Sequence, residues 1–131
     1  MSAGSRPVGY LTFEDLLQIA EGVIGEVALR EPGLLASAAA RPTSTVFGED
    51  AYPTFAEKAA ARMHAIARNH ALVDGNKRLA WSATRIFCNL NGLELEYSIE
   101  EAEALVVGVA AGELDLAEIV GWLEKRIRDP E

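Results

Sequence analysis

The stretch His70-Ala-Leu-Val-Asp74-Gly75-Asn76-Lys77-Arg78 brings a proton acceptor, a carboxylate, a glycine and two cations within nine residues. Residues of these types, so spaced, can hold an anion and take a proton beside it. The pattern around them predicts one helix ending at His70 and another opening at Asp74-Gly75. The first amides of a helix have no internal partners and sit at the positive end of its dipole, so a helix start is a ready anion site. Gly75 lets backbone come close to a ligand. Lys77 and Arg78 add two charges in that first turn, where they oppose the dipole. Such a local cost makes sense if a phosphate is meant to lie there.

Asp74 is a hard oxygen ligand next to the phosphate position. Mg²⁺ is usually held by one or two carboxylates, with nucleotide oxygens supplying other positions. The plainer role is an N-cap aspartate, and the two are compatible. His70 can reach a hydroxyl set in line with a bound phosphate and accept its proton. A lone histidine in the line of Met63 and Ile66 is more often structural, and it is the adjoining anion site that favours catalysis here. His64 lies about 240° around the helix from His70. It has no chemical partner in sequence and is expected to be structural. No histidine–cysteine cluster suggests zinc.

The totals limit the alternatives. A chain of 131 residues, half of them hydrophobic, fits one domain with one core, residues 1–131, and residues 1–9 are expected to form a loose tail. The single cysteine, Cys88, lies in an apolar run and is expected to be buried. One cysteine, no basic-then-apolar leader and no membrane-length apolar run together predict a cytoplasmic protein. A net charge of −8 argues against direct nucleic-acid binding. Yet Lys58, Arg62, Arg68, Lys77, Arg78 and Arg85 share their segment with a single acid, Asp74, a net of +5. A basic island in an acidic chain points to a local anion site. Lys58, Arg62 and Arg68 are expected to be a solvated helix face, and Lys77 and Arg78 the site itself.

Helices must position these groups, and their starts are well marked. Thr12-Phe-Glu-Asp15, Thr54-Phe-Ala-Glu57, Ser98-Ile-Glu-Glu101 and Asp115-Leu-Ala-Glu118 all have the form of capping boxes. Pro32 suits a first helical turn, and Gly92 and Gly112 suit left-handed stops. Six helices are predicted, at about 12–28, 32–40, 54–70, 75–90, 98–111 and 115–127. In the fourth, Leu79, Ala83, Ile86, Phe87 and Leu90 form an apolar stripe, and Arg78, Ser82, Arg85 and Asn89 a polar one. In the fifth, Ala102, Leu105, Val106 and Val109 face one way. Leu93 to Tyr97 alternates and suits a short edge strand. Arg41 to Pro53 is long for a plain connection, and such a loop beside a helical core is often a functional lid.

His70 through Arg78 resembles the signature of the Fic/Doc family: a histidine, a short spacer, an acid, then Gly-Asn-Lys-Arg. The resemblance is to the Doc branch and extends to Asp50-Ala-Tyr-Pro-Thr-Phe-Ala-Glu-Lys58 upstream and Phe87-Cys-Asn-Leu-Asn-Gly92 downstream. It implies an all-α, compact bundle of about six helices with a flap before the motif. It also implies ATP and Mg²⁺ at the site and a hydroxyl on a protein as acceptor. The residues it makes catalytic are His70, Asp74, Lys77 and Arg78. Asp74 becomes the metal ligand, and Gly75, Asn76, Lys77 and Arg78 the phosphate contacts. Three positions depart from the wider Fic pattern. Ala71-Leu72 replaces Pro-Phe, and a leucine can still anchor the loop. Lys77 stands where AMP-transferring members carry glycine. Trp81 stands where they carry a second arginine. The last two match the Doc branch, which resembles a kinase with the γ-phosphate nearest the histidine, a threonine of elongation factor Tu as target, and arrested translation as the result.

AMP transfer to a protein hydroxyl is the first alternative, and a non-catalytic antitoxin-binding helical module the second. The inhibitory helix of many Fic proteins, Ser/Thr then Glu four residues on, then Gly or Asn, is not found. Thr45-Val-Phe-Gly-Glu49 comes nearest, followed by Asp50. Restraint is therefore expected in trans from a Phd-like antitoxin, whose disordered tail folds on an apolar groove lined by Val46, Phe47 and Tyr52. A core position under the loop is the plainer expectation for Phe47.

Overall fold

The computed structural model describes residues 7–130. Its helices are α1 (Phe13–Ile24), α2 (Pro32–Ala40), α3 (Phe55–Asn69), α4 (Asn76–Leu90), α5 (Ile99–Ala110) and α6 (Leu116–Glu124). A short 3-10 turn, Arg41–Thr43, follows α2. The expected six-helix, all-α fold is present, with two small antiparallel ribbons added. One pairs β1 (Thr45–Val46) with β2 (Glu49–Asp50), and the other β3 (Glu94–Leu95) with β4 (Ile127–Arg128).

Local chemistry sets the helix starts. All four capping boxes form, each hydroxyl or carboxylate taking the amide three residues on while the acid there takes the cap's own amide. Pro32 opens α2. The ends were less legible. α1 stops at Ile24 rather than at 28, because Gly25 turns the chain out with φ 93°. α6 stops at Glu124 rather than at 127, because Ile127 and Arg128 pair with Leu95 and Glu94. The edge strand expected in Leu93–Tyr97 is real, but two-residue strands carry no periodicity, so its partner was invisible.

α3 is the central element and packs on α2, α4, α5 and α6. Ala59, Ala60, Ala61, Ala65 and Ala67 are buried, and their small side chains let neighbours approach on several sides. Leu79, Ala83 and Phe87 of α4 meet α3 in the core, as do Leu105, Val106 and Val109 of α5. Ile86 and Leu90, expected in the same apolar stripe of α4, stay largely exposed at its margin.

A helix surrounded in this way has little solvent face, which corrects one expectation. Arg68 is exposed, but Lys58 and Arg62 are buried. Lys58 donates from Nζ to the Tyr52 carbonyl at 2.6 Å and lies 3.5 Å from Asp50 Oδ2. Arg62 lies in the core with its guanidinium 4.3 Å above the Phe87 ring and one long bond, 3.3 Å, to the Ala83 carbonyl. Its Nε and Nη1 have no partner among the described residues, and burial pushes its pKa down to about 10. An unpaired buried cation is costly, and replacing buried charge by apolar groups of like volume is often neutral or stabilising by about 1–4 kcal/mol. Arg62→Met is therefore expected to raise the thermal unfolding midpoint. A drop of several degrees by calorimetry would show that the stacked guanidinium is a net stabiliser.

The expected tail is also partly corrected. Residues 1–6 lie outside the described residues, but Val8 packs on the core. Gly9 is held at both backbone atoms by Asn91, its amide donating to Oδ1 at 2.7 Å and its carbonyl accepting from Nδ2 at 2.9 Å.

Candidate active site

The signature falls between α3 and α4, and each half of it is set by backbone conformation. α3 ends because His70 takes a left-handed conformation, φ 52° and ψ 51°. Histidine tolerates that region better than most residues, and it turns the chain away from the helix axis. His70 thereby leaves the buried line of Met63 and Ile66 and stands exposed.

The next residues are pinned from two sides. The Ala71 carbonyl accepts from the amides of Arg30 and Glu31 at 2.8 and 3.0 Å, and the Val73 amide donates to the Ala28 carbonyl at 2.9 Å. Leu72 forms an isolated bridge with Leu29 and is 1% exposed. From the other side Asn76 accepts from the Leu72 amide at 3.0 Å and donates to the Leu72 carbonyl at 2.9 Å. Leucine therefore anchors the loop, as expected. The Asn76 side chain, expected among the phosphate contacts, is buried and committed to Leu72, so only its backbone amide is available to an anion. This clamp, and the Ala28–Glu31 segment that completes it, were missed by sequence reasoning. The only hint was an amide side chain, which can donate and accept at once, at a helix start.

The expected N-cap aspartate is corrected. Gly75, not Asp74, is the N-cap of α4, with φ 89° and no side-chain cap. Asp74 Oδ1 accepts instead from the Gly75 amide at 2.9 Å. α1, α3, α5 and α6 have complete capping boxes, and in α2 a proline removes a donor at the first turn. α4 thus starts without a side-chain cap, and Lys77 and Arg78 within its first turn are exposed. Arg78 donates from Nη1 to the Val23 carbonyl at 3.3 Å, placing its charge at the negative end of α1, which has no basic residue of its own in the last turn. Its other donors remain for a ligand. His70, Asp74, Lys77 and Arg78 are all exposed, on the link from α3 and the first residues of α4.

Among the described residues no group of three or more His, Cys, Asp or Glu could cage a metal. Asp74 alone, with Oδ1 engaged and Oδ2 open, fits a cation carried mainly by phosphate oxygens and water, as Mg²⁺ commonly is. Cys88 is buried and its thiol pushed up to about 12, chiefly by burial, which removes it as a nucleophile.

The segment upstream is a hairpin. Val46 pairs with Glu49 across the two-residue turn Phe47-Gly48, whose φ values of 52° and 81° are both positive, as tight hairpin turns demand. An aromatic residue at positive φ is an outlier that invites a functional explanation. Phe47 is fully exposed and Val46 is 56% exposed, so the core position considered for Phe47 is excluded. Tyr52 does something else: its hydroxyl accepts from Arg41 Nε at 3.0 Å, and it is half-buried at the hairpin's base. Arg41 also bonds the Ala61 carbonyl at 3.0 Å and lies 3.2 Å from His64 Nδ1. His64 therefore has a structural partner after all, and burial and then Arg41 and Arg68 lower its pKa.

A histidine on a left-handed stop, a clamped loop and an uncapped basic helix start thus stand together in one short stretch of a mostly helical protein. Residues 10–88 match the model of the Fic/DOC family. The chain is 48% identical over 119 residues to the Toxin Doc of Mycolicibacterium smegmatis (strain ATCC 700084 / mc(2)155), covering 87% of this chain and 90% of that one. It is 31% identical over 101 residues to the Protein kinase doc of Escherichia phage P1, covering 77% and 79%. The chain belongs to the Fic/Doc family, and within it to the Doc branch.

Proposed function

We propose that this protein is a Doc-type toxin that transfers the γ-phosphoryl group of ATP to a serine or threonine hydroxyl of a protein, with elongation factor Tu as the target and arrested translation as the result. The observation that carries this is the bare first turn of α4, flanked by exposed Lys77 and Arg78 beside exposed His70. In the reaction His70 accepts the hydroxyl proton as the oxygen bonds to the γ-phosphorus. The bond from that phosphorus to the β–γ bridging oxygen breaks, and ADP leaves. Free α4 amides, Lys77 and Arg78 hold the negative charge throughout. Mg²⁺, held through Asp74, would neutralise phosphate charge when bound.

Two details favour phosphoryl over AMP transfer. Lys77 fills space where a glycine would leave bare backbone for the phosphate chain. Trp81 is no cation, and it packs edge-on against Tyr97 and Trp122 with centroids 4.8 and 6.0 Å away. Incubation with elongation factor Tu and ATP labelled at the γ- or the α-position tests this. Label is expected on the protein from γ only, and protein-bound α-label would establish AMP transfer instead.

The antitoxin reading rests on the flap. A Phd-like tail in trans would meet the exposed Val46 and Phe47 at its tip, while Tyr52 supports the flap from below. The Phe47 ring has no buried contact to lose, so Phe47→Asp is expected to keep full helicity. It is also expected to weaken binding of a Phd-type tail more than about tenfold, the effect of losing an exposed aromatic anchor. Circular dichroism and a binding isotherm check it, and unchanged affinity would remove the flap from the antitoxin surface. Among the described residues no helix is long and apolar enough to cross a membrane.

A further inference from the structure

Away from the stretch His70 to Arg78, the side of α3 next to the flap's base gathers cationic groups. Arg41 stands at that base, with Nε bonded to the Tyr52 hydroxyl and Nη1 to the Ala61 carbonyl. The same Nη1 lies 3.2 Å from His64 Nδ1, and Nη2 makes no hydrogen bond among the described residues. Arg68 follows His64 by one helical turn and so shares its face. It is near enough to help hold the His64 pKa down. Its guanidinium lies over Gly112, where a Cβ would run into Nη1, at the negative end of α5. Arg41 and His64 are half-buried, and Arg68 is exposed.

No acid answers these groups. Neither Arg41 nor Arg68 forms an ion pair among the described residues, although Glu113 adjoins Gly112. Asp50 in the flap is taken by Lys58 at 3.5 Å, and Glu57 on α3 by the Thr54 cap. Two guanidiniums gathered around an imidazole repel one another when it is protonated and hold its proton off otherwise. An anion laid across them removes that cost. The chain as a whole is acidic, net −8, so an acidic partner is attracted here and repelled by the molecule at large. A patch of this kind steers a partner and fixes its orientation. It ends at Arg68, two residues before His70, so a protein that covers it is brought beside the proposed base.

We propose that Arg41, His64 and Arg68 form a docking surface for an acidic segment of the acceptor protein, separate from the phosphate contacts. The proposal rests on the reading that the acceptor is a protein hydroxyl, and it adds the charge that this protein carries near it. The free guanidinium donors suit carboxylates, and a short run of Asp or Glu is what fits.

The test uses Arg68, which is exposed, makes no hydrogen bond among the described residues and has no part in the proposed chemistry. Arg68→Glu reverses the charge, and Arg68→Lys keeps it. Transfer of γ-label to elongation factor Tu is followed over a range of acceptor and salt concentrations. Arg68→Glu is expected to raise KM for the acceptor about tenfold, as attraction becomes repulsion, with kcat and KM for ATP unchanged. Arg68→Lys should stay near wild type. Wild-type KM should rise with salt more steeply than that of Arg68→Glu. A labelled peptide of Glu and Gly, followed by anisotropy with a non-hydrolysable ATP analogue and Mg²⁺ filling the start of α4, should lose affinity for Arg68→Glu by a similar factor. An unchanged acceptor KM in Arg68→Glu, a fall in kcat in place of the rise in KM, or an equal loss in Arg68→Lys would overturn the docking surface. Weaker peptide binding with an unchanged acceptor KM would give the surface to another acidic protein, such as an antitoxin, and overturn the acceptor as its occupant. Wild type that labels neither elongation factor Tu nor any protein of a cell extract would sink the transfer reading and the acceptor with it, while the peptide arm would still show whether acidic chains bind here.

Discussion

His70→Ala is expected to lower phosphoryl transfer by about 10²–10⁴-fold, the usual effect of losing a positioned general base. The fold should survive, because the side chain is exposed and makes no hydrogen bond among the described residues. The residue also ends α3 in a left-handed conformation, so alanine adds a small backbone strain of about 1 kcal/mol. His70→Asn separates the two roles. Asparagine tolerates that conformation but is no base, so it should recover stability without recovering turnover. Nucleotide affinity should be nearly unchanged in both variants, since the α4 start is intact. Measured rates of γ-label transfer and melting curves check this. Near wild-type transfer by either variant would leave His70 with only its structural role.

The second large effect is on stability, at Gly75. Its φ of 89° disfavours any residue with a Cβ, and a Cβ there would run into Ile24 Cδ1 and lie 2.8 Å from Ile24 Cγ1. Left-handed strain costs roughly 1–2 kcal/mol and overpacking about 1–3 kcal/mol, so Gly75→Ala should destabilise the protein by about 2–4 kcal/mol. The two parts are separable. In the background of Ile24→Ala the contact is gone and only the backbone strain remains, so the two substitutions together should cost less than their sum. Strict additivity in denaturant melts would show that the α1–α4 contact is not what constrains this glycine. A pushed-back α1 would also shift Val23, the acceptor for Arg78, so phosphate binding should weaken in Gly75→Ala beyond its effect on folding.

The hairpin base carries a pH dependence of known sign. His64 has its pKa lowered in the fold, so the folded protein binds that proton less readily than the unfolded chain. Its contribution is therefore fully present above the ordinary histidine value of about 6.5 and declines as pH falls below it. Protonated His64 would face the Arg41 guanidinium, and the anchor of the flap would loosen first.

Much of this protein is legible in its residues. The capping boxes predicted four helix starts because a cap is a contact between neighbours in sequence, requiring nothing from the rest of the chain. The candidate site was legible for the same reason: His70 to Arg78 is one loop and one helix turn, so its residue types stand together in the chain wherever the helix lies. The resemblance to Doc proteins, carried by the same run, extended it to a family.

What needed the tertiary structure was everything that depends on who packs against whom. Arg62 and Lys58 have the spacing of a solvated face, and only the surrounding of α3 by four helices puts them inside. Asn76 reads as a ligand contact until the buried Leu72 backbone takes both ends of its amide. The ribbons joining Thr45–Val46 to Glu49–Asp50 and Glu94–Leu95 to Ile127–Arg128 are too short for periodicity to register, and the second joins segments far apart in sequence. Phe47 is apolar and could have been core, and the positive φ of its turn is what holds it out in solvent. Gly75 was legible as permissive, but the Ile24 side chain against it is a long-range contact. Sequence neighbours determine caps, turns and the chemistry of a contiguous motif. Burial and long-range hydrogen bonds are properties of the packed chain, and they decide which of those groups remain free to act.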